Sequence, residues 1–275
     1  MKTNYIPTLV LTILLGAITV MAAEPIGTIV SLTGKATATA QDGASRNLEL
    51  KSPVMLNDRI KTDSGASLQI MFLDDTVISQ GEKSEMTVDE YVYNPGKKED
   101  NKCTLRLCKG VFRAVTARIT ALNPGRFKVK TNLATIGIRG CEIGFTISER
   151  GENVYVLSLP EGKSIIITIN AGTDISALAT AGAVTKEQAI EIIQVGTVVQ
   201  IEEGGGTSQR IISPQEAIDF LEQITIPGDS GDTSGTPIPD LVVNSILNQT
   251  DPMLNYAVDS AKQDEEEEDL EQTKQ

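Results

Sequence analysis

From Gly27 onward, apolar residues recur at every second position in short runs, and Gly, Asp, Asn or Pro separates one run from the next. A period of two places successive side chains on opposite faces of an extended strand, so each run buries one face and wets the other. Short alternating runs punctuated by turn residues are the pattern of an all-β domain, and helix-spaced apolar residues are scarce before residue 185. The predicted fold class is therefore all-β: a compact solenoid-like or sandwich-like domain of many short strands, with one or two short helices and a disordered acidic tail. Ile26 to Leu32 and Ala36 to Ala40 read as a hairpin about Gly34. Ala66 to Phe72 and Val77 to Gln80 read as a second hairpin about the acidic reversal Leu73-Asp74-Asp75-Thr76. Cys103 to Cys108 and Gly110 to Val115 read as two further strands. With five Phe, five Tyr and no Trp in 275 residues, β-branched side chains must fill most of the core.

Charge and composition exclude several functions. The formal charge of −13 repels phosphate backbones, and no Lys/Arg stripe with interleaved aromatics offsets it, so nucleic acid is not an expected partner. The chain has no His, which removes the commonest general base near neutral pH and the commonest metal ligand. Gly228-Asp229-Ser230-Gly231-Asp232 looks like the surroundings of a nucleophilic serine, but no imidazole exists to take its proton. Gly162-Lys163-Ser164 looks like the end of a phosphate-binding loop, yet Leu157 stands where the earlier glycine is required, so it reads as a turn. Catalytic, cofactor-binding and metal residues are expected to be absent, and no cofactor is implied. Cys103, Cys108 and Cys141 are an odd set. Cys103 and Cys108 could form a disulfide only if the chain bends between them, because residues five apart on one strand point to opposite faces; otherwise all three pack as small apolar side chains.

The ends have their own character. Lys2, the apolar run Ile6 to Met21 and the small residues Ala22 and Ala23 have the order of a secretory signal peptide, so residues 1–23 are expected to direct export. The run is also long enough for a retained anchor, and the sequence leaves that alternative open. No stable membrane span is expected after cleavage. A β domain is predicted over 24–212, an amphipathic helix over 213–226 with Ser213-Pro214 at its start, a linker over 227–239, and a weakly helical segment ending in a disordered acidic tail over 240–275. Val184 to Val195 also reads as a short helix. Asp264 to Glu271 holds seven acidic residues in eight, suited to contact with a basic surface or calcium, or to solubility alone.

Several stretches occur together in an order that resembles the FecR domain. Leu56-Asn57-Asp58-Arg59-Ile60-Lys61-Thr62 is similar to the family's L-x-x-G-D-x-I-x-T stretch, and Ala66 to Thr76 to its A-x-L-x-F-x-D-G-T hairpin. Leu105 to Val115, Phe127 to Thr131, Ile138-Arg139-Gly140-Cys141 and Glu161-Gly162 resemble its later elements, so the core of the resemblance spans 26–170. Asn57, Asp75 and Cys141 depart from the usual Gly, Gly and Thr. Asn and Asp tolerate the left-handed backbone that glycine adopts in such turns. The resemblance marks Asp58, Thr62, Asp74, Asp75, Arg139, Gly140 and Cys141 as motif residues. Arg139 suits either a binding site or a structural bond at a strand end.

The resemblance implies an exported, periplasmic or secreted module that is not an enzyme and that mediates protein–protein contact, signalling or scaffolding with envelope proteins. A carbohydrate or envelope-polymer binding module is the alternative; it needs exposed aromatics, and Tyr91, Tyr93 and Tyr155 are the candidates. A hydrolase built on carboxylate pairs such as Asp74 with Asp75 or Glu202 with Glu203 is the third reading.

Overall fold

The alternation is realised as strands that pass back and forth between two layers. The computed structural model describes residues 24–170, 189–204 and 206–224; the signal-like start, the linker and the acidic tail lie outside the described residues. The chain runs through β1 (Gly27–Thr33), β2 (Ala36–Thr39), β3 (Ser45–Asn47), β4 (Pro53–Val54), β5 (Arg59–Thr62), β6 (Ser67–Phe72), β7 (Val77–Gln80), β8 (Glu85–Val92) and the long β9 (Lys102–Val115). It continues with α1 (Arg118–Leu122), β10 (Phe127–Lys130), β11 (Ala134–Ile138), β12 (Glu142–Ser148), β13 (Gly151–Ser158), β14 (Ile165–Ile169), β15 (Ala189–Ile192), β16 (Thr197–Glu202), β17 (Thr207–Ile211) and α2 (Pro214–Glu222).

One sheet has the order β4-β1-β6-β7-β9-β12-β13-β16-β17. The other has the order β3-β2-β5-β8-β9-β10-β11-β14-β15, and its β9–β10 pair is parallel. Strand β9 belongs to both. Its first part pairs with β8 and β10, and from Gly110 onward it pairs with β7 and β12. Gly110 permits the transfer: its φ is +107°, and a Cβ there would meet Ser84 Oγ at 2.0 Å.

The inward residues of the two sheets form one core. Ile29, Leu68, Ile70, Ile78, Phe112 and Phe145 come from the first sheet, and Ile60, Met86, Leu105, Val129, Ile136 and Ile167 from the second. Burying each such side chain stabilises the fold by about 1.5–3 kcal/mol. The molecule is thus all-β and sandwich-like. A second apolar cluster lies on the outer side of the first sheet, where Ala217, Phe220, Leu221 and Ile224, in and just after α2, cover Tyr155, Leu157 and Val198. Helix α2 starts as its sequence requires, with the Glu216 amide donating to Ser213 Oγ at 3.2 Å.

Three expectations are corrected. The β6–β7 hairpin forms, with Met71 opposite Val77, but β1 and β2 do not pair with each other. The chain crosses between sheets at Gly34, so the two alternating runs join different layers. Residues 189–192 are strand β15, with Ile192 opposite Ile165, rather than helix, because the open edge of β14 supplies hydrogen-bond partners to an Ile-rich run; residues 184–188 of that expected helix lie outside the described residues. Finally, Cys103 and Cys108 form no disulfide. Cys103 is buried among Leu105 and Leu107, Cys108 lies on the opposite, half-exposed face of the same strand, and all three cysteines are free.

Candidate functional site

The motif residues divide between two structural corners and one cleft. Asp58 is fully buried, accepts from Arg46 Nη1 at 2.9 Å and from the Met55 amide at 2.7 Å, and so closes the β4–β5 turn. Asn57 beside it takes φ +65°. Thr62 sits where the chain changes sheets: its hydroxyl donates to Gly81 O at 2.5 Å and accepts the Ser84 amide at 3.1 Å. Gln80 adds a bond from Nε2 to Ser84 O at 3.0 Å. These contacts satisfy backbone groups at a sheet corner, where no ladder partner is available.

Asp74 occupies the β6–β7 turn with no exposed surface. Its carboxylate accepts from the Thr76 hydroxyl at 2.7 Å, the Tyr91 hydroxyl at 3.0 Å and the Ile119 amide at 3.2 Å. Thr76 Oγ1 in turn accepts the Ala117 amide at 3.2 Å, and the Arg118 amide donates to Asp74 O at 3.1 Å. Burial, together with the Asp74 charge, pushes the Tyr91 hydroxyl well above the usual tyrosine range and keeps it a proton donor. Asp75, at φ +65°, faces solvent and pairs with Arg118 at 2.6 Å. Asp74 and Asp75 therefore point into different environments and do not share a cleft. Glu202 and Glu203 are exposed at the β16–β17 turn.

The turn around Asp74 thus fixes the start of α1, and α1 forms one wall of an open cleft of about 410 Å³. The β11–β12 turn contributes Arg139, Gly140 and Cys141, and the β13–β14 turn contributes Ser158 and Lys163. Thr116 ties the walls together: its hydroxyl donates to Cys141 O at 3.0 Å and accepts the Cys141 amide at 3.1 Å. The Cys141 thiol is pushed up to about 12, first by burial and then by the Glu142 charge, so it is protonated at neutral pH. Glu142, the one carboxylate of the lining, is engaged by Arg113 Nε at 2.7 Å. Arg139 and Lys163 make no ion pair among the described residues. The lining of the cleft therefore includes two cations without an ion pair, Ser158, and apolar residues such as Val115 and Pro160. Arginine and lysine side chains are donors suited to hydrogen bonds with carboxylates and other anions.

Of the sequence-marked residues, the structure brings Arg139, Gly140 and Cys141 into this cleft, places Asp74 and Asp75 behind its α1 wall, and leaves Asp58 and Thr62 at distant corners. Lys163 and Ser158 were not marked. They join the cleft because β11, β12, β13 and β14 bring their turns to one end of the sandwich, a register that no local motif encodes. Glu152 was also missed: it is buried on β13 and accepts the Asn132 and Leu133 amides at 3.0 and 3.1 Å, closing the β10–β11 turn.

The site is thus a two-sheet β sandwich whose turn motifs brace an open cleft lined by two cations. Residues 58–163 match the family described as FecR protein. Comparison with curated proteins gives no match. Two crystal structures, at 1.65 and 2.50 Å, of a candidate anti-sigma factor from Parabacteroides distasonis ATCC 8503 are similar at 12% identity and a TM-score of 0.42. The first likeness covers 59% of this chain and 64% of that one, so it spans less than two thirds of the other protein. A structure described as a cell surface anchoring domain is similar at 30% identity and a TM-score of 0.23, over 23% of this chain and 83% of that one.

Proposed function

We propose that this chain is an exported, non-catalytic FecR-domain module that works in the cell envelope by binding another protein, with the Arg139 cleft as its contact. The observation that carries this reading is the pair of unpaired cations, Arg139 and Lys163, at a cleft whose thiol is protonated and whose carboxylate is already engaged. Those groups hold an anionic side chain or a chain terminus; they do not provide the free acid and base that hydrolysis needs. The order of residues 1–23 supports export. Among the described residues, no helix is long and apolar enough to cross a membrane. Sugar binding is less well supported, because every described aromatic except Tyr93 is buried, including Tyr91 and Tyr155.

The test is a cross-linked pull-down from envelope extract of the native host with the full chain, in parallel with Arg139→Ala and Lys163→Ala. A protein captured by the wild type and reduced about tenfold by either substitution supports the reading. Recovery of glycan without protein, or capture unchanged in both variants, overturns it.

A further inference from the structure

Although the chain is strongly acidic, one of its faces is basic. On the outer side of the second sheet, Arg59 and Lys61 of β5, Arg106 of β9, and Lys128 and Lys130 of β10 stand on neighbouring strands. The register makes them neighbours: Arg59 is opposite Thr87, Thr87 is opposite Arg106, and Arg106 is beside Lys130. Two acids on β8 offset part of this charge. Glu85 lies 3.4 Å from Arg59 and 3.2 Å from Lys61, and Asp89 lies 2.8 Å from Arg106. Glu90 and Lys102 neutralise each other. Lys128 and Lys130 make no ion pair among the described residues, and Glu191 on β15 stands at the far edge. Five cations thus stand against two acids on the central strands of this sheet, a charge suited to an extended anionic segment.

We propose that the acidic segment Asp264–Glu271 of the same chain docks across this face, with its carboxylates between Arg59, Arg106, Lys128 and Lys130. The partner is identified by charge and by reach. Seven of its eight residues are acidic, and it is the densest negative run in the sequence. α2 packs on the outer side of the opposite sheet, and the last described residue, Ile224, lies against Gly81. Thirty-nine residues lie between it and Asp264. They span up to about 130 Å when extended, whereas a domain of this size is about 40 Å across. The connection is therefore long enough to round the sandwich. Tethering raises the effective concentration of the segment at the face to about the millimolar range, so weak individual ion pairs suffice.

The experiment is zero-length carbodiimide cross-linking of the full chain, followed by peptide mapping. An equal mixture of ¹⁵N-labelled and unlabelled chains separates links within one molecule from links between two. The expected result is that Lys61, Lys128 and Lys130 join Asp264–Glu271 within one molecule, and that the yield falls at least about fivefold in 1 M NaCl, where the screening length is about 3 Å. Arg59→Gln with Arg106→Gln lowers the same yield while keeping the reporting lysines, and far-UV circular dichroism verifies that the variant is folded. Replacing Glu265 to Glu268 by Gln removes the links from the other side. Links spread evenly over Lys35, Lys51 and Lys163, links only between differently labelled chains, or no links from the acidic segment would each overturn the proposal.

Discussion

The carboxylate of Asp74 accepts the backbone amide of Ile119 at 3.2 Å, across 45 residues of sequence. This bond, with those from Tyr91 and Thr76, fastens the β6–β7 turn to the helix that walls the cleft. Asp74→Ala leaves three buried donors without this acceptor and is expected to lower stability by about 3 kcal/mol. Asp74→Asn, which retains one carbonyl oxygen, is expected to cost about half as much. Urea unfolding measures both, and an alanine variant within about 0.5 kcal/mol of wild type rules out the clamp.

Glu152 sets a pH dependence. Burial raises its pKa in the folded state, and the hydrogen bonds from Thr131, Leu133 and Asn132 only partly oppose that shift. Between the ordinary carboxylate value and the raised one, the folded chain therefore binds the proton more tightly than the unfolded chain. The contribution of Glu152 to stability falls as pH rises through that interval and is level above it. Glu152→Gln removes this slope. Urea midpoints of the two proteins from about pH 4 to pH 7 should show wild type losing ground to the variant as pH rises; the opposite trend contradicts the assignment.

Helix α2 depends on the absence of a side chain at position 144. A Cβ on Gly144 would lie 2.4 Å from Phe220 Cζ, and the Phe220 ring lies tilted against Tyr155 with ring centres 4.6 Å apart. Gly144→Val is expected to displace α2 at a cost of about 1–3 kcal/mol while the two-sheet core stays folded. Amide hydrogen exchange gives the readout: faster exchange confined to Ala217–Ile224 fits, whereas faster exchange throughout the core does not.

The three thiols should react in an order set by exposure. Cys103 is fully buried, Cys141 is nearly so with its thiol pushed up to about 12, and Cys108 is half-exposed. Iodoacetamide applied to the folded chain at about pH 8 should label Cys108 first, with Cys103 and Cys141 labelled only after denaturation. Equal labelling of Cys141 in the native state would show that the cleft opens more widely than described.

Much of the molecule was legible from residue order because the signals are local. Alternation identified the strands, the acidic reversal identified the β6–β7 hairpin, and Asn57 and Asp75 take the positive φ that their position in glycine-type turns demands. Ser213 before Pro214 announced α2. The error at residues 189–192 has the same root: a short Ile-rich run fits either period, and the neighbouring edge of β14 decides it.

By itself, then, the sequence determined the all-β class, the placement of most turns and the likeness to the FecR domain over its middle. Only the tertiary structure decided which sheet each strand joins, where β9 passes from one sheet to the other at Gly110, and that Arg139 shares a cleft with Lys163. A period of two states which face of a strand is buried but not which strand lies beside it. That choice is made by packing and backbone pairing between segments tens of residues apart, and no local pattern records it.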